Sequence, residues 1–96
     1  MGIKLTDIRR YAIDRRVEIA VSDSTSGRRC LINVRGQALI PESDRSFRIE
    51  ELIDAADSFE VTSGGKPQLL TADQIATAMS EHFKSRGFSG ISREQE

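Results

Sequence analysis

The sequence predicts an α+β domain: a small antiparallel sheet of three to five strands, helices packed mainly on one face, order α-β-β-β-α-β-β-α. Three observations lead there. Branched aliphatics alternate with other residues at 17–22 and again at 28–34, the period of half-buried strands. Ile49, Leu52, Ile53 and Ala56 recur at i, i+3, i+4 and i+7, a helical stripe. Thr71 followed by Gln74 is the signature of a capped helix start.

Taken in order, Thr6 and Asp7 predict an N-cap and first turn, and a helix over about 7–15. Leu5, Ile8 and Ala12 share one side of it, Tyr11 lies at the edge, and Ile13 lies well round the cylinder. In the next two segments, same-face pairing couples 21 with 30, 19 with 32 and 17 with 34, because side-chain direction fixes register parity. Ser24-Thr25-Ser26-Gly27 is then the hairpin loop. The opposite face sets Ser22 beside Arg29, Ala20 beside Leu31 and Glu18 beside Asn33, a mixed surface rather than a polar one. Gly36 marks a turn or bulge before a third strand at 37–40, which Pro41 ends.

The cluster at 41–46 reads as a loop, and the stripe beginning at Ile49 predicts a helix over about 49–57 with Glu50 and Glu51 in its first turn. Residues 59–62 and 66–70 around Ser63-Gly64-Gly65 suggest a second hairpin, in which Pro67 must occupy an edge or a strand start for want of an amide. The last helix, about 72–86, carries the stripe Ala72, Ile75, Ala76, Met79 and Phe83, with Leu70 stapled to Ile75 and Gly87 as the stop. Residues 1–87 form a single domain in this reading, and 88–96 a short flexible tail onto which only Phe88 and Ile91 bring apolar side chains.

Composition narrows the function classes. Leu, Ile, Val and Phe supply 24 of the 96 residues, enough for a folded core. Fourteen basic against fifteen acidic residues leave a formal net charge of -1, without the global positive field of a dedicated nucleic-acid binder. One cysteine, Cys30, offers no intramolecular disulfide, which fits a reducing, cytoplasmic setting. Fully apolar runs reach only two to three residues, so no membrane segment is expected.

Chemistry-bearing patterns are sparse. One cysteine and one histidine cannot make the usual zinc set, no calcium-loop order occurs, and no structural metal or cofactor is expected. The pairs Glu50-Glu51 and Asp54-Asp57 read as a solvated helix face. Cys30 belongs to an apolar strand face and His82 to the border of an apolar helical stripe, so both read as packed residues rather than as a catalytic dyad. Ser63-Gly64-Gly65-Lys66 lacks the first glycine and the hydroxyl residue of a phosphate loop and reads as a turn. No catalytic residue is assigned, and an enzyme is not expected.

The charge is segregated: residues 1–48 hold 10 basic and 6 acidic side chains, residues 49–96 hold 4 and 9. Two function classes follow. The first is a non-catalytic intracellular interaction module whose partner, another protein or a second copy in a two-fold dimer, engages the mixed sheet face or an unpaired strand edge. The second is phosphate-backbone binding by the arginine-rich first helix and hairpin. Arg9, Arg10, Arg28, Arg29, Leu31 and Arg35 are the candidate partner-binding residues.

Overall fold

The computed structural model describes residues 3–87. The expected C-terminal tail, 88–96, lies outside the described residues. Helix α1 spans Leu5–Arg15, strands β1, β2 and β3 span Glu18–Asp23, Arg28–Ile32 and Ala38–Leu39, and a 3-10 turn covers Glu42–Asp44. Helix α2 (Ile49–Ala55), strands β4 (Ser58–Ser63) and β5 (Lys66–Leu70) and helix α3 (Ala72–Ser85) complete the order that the sequence predicts. The five strands form one antiparallel sheet ordered β3-β2-β1-β4-β5, with β1 at its centre.

The first hairpin pairs Val21 with Cys30 and Ile19 with Ile32 around the expected four-residue loop. Asp23 builds that loop: its carboxylate accepts the Thr25 amide and the Ser26 hydroxyl, and the Gly27 amide closes on its carbonyl. The expected pair 17 with 34 does not form, because β2 ends at Ile32. There the Asn33 carboxamide oxygen accepts the amides of Arg35 and Gln37, which turns the chain and leaves Val34 44% exposed instead of facing the core. Gly36 permits this turn to close on α1: its φ is +77°, and a Cβ there would stand 2.8 Å from Ile13 Cδ1.

The first helix starts earlier than Thr6 predicts. Lys4 is the N-cap, its carbonyl taking the Ile8 amide, so that Leu5 and Thr6 are already helical and Leu5 packs against the core. Asp7 lies in the first turn as expected, and there it is fully buried and accepts a hydrogen bond from Arg10 Nη2 at 2.8 Å. The second helix stops at Ala55, two residues before the expected end, as Ala56 turns extended. At the last helix Thr71 Oγ1 accepts the Gln74 amide while Gln74 Oε1 accepts the Thr71 amide, the predicted reciprocal cap. The Gly87 amide, on a residue with φ +92°, bonds the Lys84 carbonyl just past its end.

All three helices serve one face. Ile19, Val21, Cys30, Ile32, Phe59 and Val61 are buried in a single cluster with Ile8 and Ala12 of α1, Leu52 and Ile53 of α2, and Ile75, Met79 and Phe83 of α3. Helix α2 lies against β1 and β2, and α3 against β4 and β5. The result has two layers and is only 20 Å across in its thinnest direction.

Candidate functional site

Because strand side chains alternate, the register that buries Val21, Cys30 and Phe59 turns their neighbours to the opposite face. One cross-strand row runs the full width of that face: Leu39, Leu31, Ala20, Glu60 and Leu69, each paired with the next. Leu39 is 51% exposed and Leu69 69% exposed, the latter the most open large apolar residue described. Arg29, Ser22 and Ser58 flank the row on one side, and Glu18, Thr62 and Pro67 on the other. No helix among the described residues crosses this surface, so the sheet is open on one side.

The open face is not flat. Ala20, Ser22, Arg29, Cys30, Leu31, Leu39, Ile40 and Pro41 line an open hollow of about 300 Å³ over β2 and β3, its surface overwhelmingly apolar. Across β1, Glu60 and the projecting Leu69 occupy the other flank.

The sheet's lateral edges are less receptive. The Gly64-Gly65 turn, with φ +60° and +79°, makes Ser63 and Lys66 the closing pair of its hairpin, which directs the backbone of Pro67 and Leu69 away from β4. Pro67 has no amide to offer there. At the other edge β3 is two residues long and gives way at once to Ile40 and Pro41.

The predicted partner-binding residues part company in the fold. Arg29 and Leu31 lie on the open face. Arg28 has the opposite parity, stacks 4.9 Å from the centre of the Phe47 ring and reaches Glu51 of α2 at 3.9 Å. Arg10 pairs with Asp7 and sits 4.6 Å over the Phe83 ring. Arg9 shares a surface hollow with Glu50 and Asp54, and Arg35 is exposed in the β2–β3 turn. The arginines therefore do not share one carboxylate-free surface.

Cys30 lies on β2, against which α2 packs, and His82 on α3, which packs against β4 and β5. Burial pushes the Cys30 thiol up to about 11. His82 packs edge-on against Tyr11 and tilted against Phe83, with Nε2 3.6 Å from Asp14 Oδ2, a carboxylate that also lies 3.6 Å from Arg86 Nε. Asp57, just past α2, braces the first hairpin. Its carboxylate accepts both the hydroxyl and the amide of Ser24, bonds that hold its carboxyl below the usual range. A second groove, about 490 Å³, runs between α1, α3 and the β4–β5 hairpin; Arg15 and Lys66 face it along with Asp73 and Glu81.

Comparisons add no relative. No protein-family model, curated protein or solved structure gives a significant match to the chain.

Leu39, Ile40, Glu60 and Leu69 are missing from the sequence-derived set. Extending the parity count from β1 to β3, β4 and β5 finds Leu39, Glu60 and Leu69, though not Ile40, which has the opposite parity; it also requires knowing that β4 docks beside β1, about forty residues away in the chain.

Proposed function

We propose that this protein is a non-catalytic intracellular interaction module that docks a protein surface on the open face of its sheet. The supporting observation is the continuous row Leu39, Leu31, Ala20, Glu60 and Leu69, apolar at both ends and crossed by no helix among the described residues. Exposed apolar area of this kind, framed by polar residues, is a common property of docking surfaces. The short β3 edge and the proline on β5 favour the face over strand addition at an edge. A lone buried thiol suits the reducing interior of a cell. Phosphate-backbone binding by the arginines gains no comparable support, since Arg10 and Arg28 already engage Asp7 and Glu51.

The test is site-specific photo-crosslinking in the native cells, with a photoreactive residue replacing Leu39 and a control replacing the exposed Asp54 on α2. A discrete protein adduct from position 39 and none from position 54 is expected. Equal or absent labelling at both positions overturns the proposal.

A further inference from the structure

We infer that the occupant of the open face is a second copy of this chain, related by a two-fold axis running along β1; the inference rests on the docking role proposed above and names its partner. The argument is self-complementarity. A two-fold axis parallel to β1 and midway between two stacked sheets reverses the strand order of one relative to the other. Whatever lies on the β4–β5 flank of one copy then faces the β2–β3 flank of its mate.

The two flanks match under this operation. The protruding Leu69 of one copy meets the hollow bounded by Leu31, Leu39, Ile40 and Pro41 of the other, and the symmetry repeats the contact. Arg29 on β2 and Glu60 on β4 lie on opposite sides of Ala20, so each arginine is carried toward the other copy's carboxylate. Ala20 falls on the axis, where a small side chain lets two sheets approach at the usual spacing of about 10 Å. On this axis Glu18 of β1 meets its own mate at the rim of the contact, whereas an axis perpendicular to the strands would set Glu60 against Glu60 in the central row. Five strands about 4.8 Å apart and averaging about five residues at about 3.3 Å present roughly 400 Å² per copy, at the small end for specific association. A contact of this size is expected to be weak and reversible.

Sedimentation equilibrium of the full chain from about 1 to 300 µM should show a monomer–dimer transition. Leu69→Lys should weaken it at least about tenfold, Arg29→Glu or Glu60→Arg about tenfold each, and the double reversal Arg29→Glu/Glu60→Arg should restore it. Geometry is read separately by crosslinking with a short bismaleimide, which bridges the gap of about 10 Å between stacked sheets, too wide for a disulfide. Mixed Leu39→Cys and Leu69→Cys chains should join to each other, whereas Leu39→Cys alone should not, because its two copies stand more than about 19 Å apart across four strand spacings. Trapping of Leu39→Cys with itself, or no rescue by the double reversal in a dimeric protein, overturns the proposed axis. A strict monomer overturns self-association: adducts from position 39 to a different protein then leave the docking role standing, and no adducts at all remove both.

Discussion

Cys30 and Asp57 illustrate opposite ways in which the fold moves a proton equilibrium. With its thiol pushed up to about 11, Cys30 holds roughly a hundredfold less thiolate at neutral pH than an unshifted cysteine. Iodoacetamide at pH 7.5 should therefore modify the native protein at least about fiftyfold more slowly than the protein in denaturant, as read by intact mass. Asp57 is lowered instead, first by the Ser24 hydroxyl and then by the Ser24 amide. A depressed carboxylate supplies stability that is present above its unfolded pKa and is lost as pH falls through the folded value. Ser24→Ala should accordingly flatten the loss of stability between about pH 5 and pH 3, measured by urea midpoints across that window.

Among the elements, α3 is the one whose start is written most locally, and its cap is the place to measure that. Thr71→Ala removes the acceptor of the Gln74 amide and should cost about 1 kcal/mol, visible as a lower thermal midpoint with the fold retained. The same locality explains what the sequence revealed. Hairpin parity placed Val21 against Cys30 and Ile19 against Ile32, and two adjacent glycines marked the second turn, because each depends on residues within one or two turns of chain. Val34 went astray for an equally physical reason: its aliphatic character continues the alternation, but the Asn33 side chain captures two amides and diverts the backbone first. Thr6 resembled a cap while Lys4 took that position, since burying Leu5 against the core favours an extra half turn. Of the candidate surface, Ala20, Arg29 and Leu31 followed from parity within one hairpin. Leu39, Glu60 and Leu69 did not, because strand order is set by packing between segments distant in sequence.

For the molecule as a whole, the uneven charge along the chain is partly folded inward: Arg28 of the basic half reaches Glu51 of the acidic half, and Asp14 lies between His82 and Arg86. These are mostly exposed or loose pairs and contribute little stability each. The proposed self-association would add a contribution that depends on concentration. Association that binds only the folded state raises the thermal midpoint with protein concentration. The midpoint is expected to climb on going from about 2 to about 200 µM, and Leu69→Lys should abolish the climb while changing the dilute-limit stability by less than about 0.5 kcal/mol, since the side chain it replaces is solvent-exposed.

The prolines at 41 and 67 have a consequence for stoichiometry. A sheet whose edges are poorly suited to recruiting strands, and whose other surface is already occupied by its own helices, has one favoured direction in which to stack. In the proposed pairing that direction is used by the mate, which leaves no surface of this kind to propagate from; raising the concentration is then expected to fill pairs rather than to nucleate filaments.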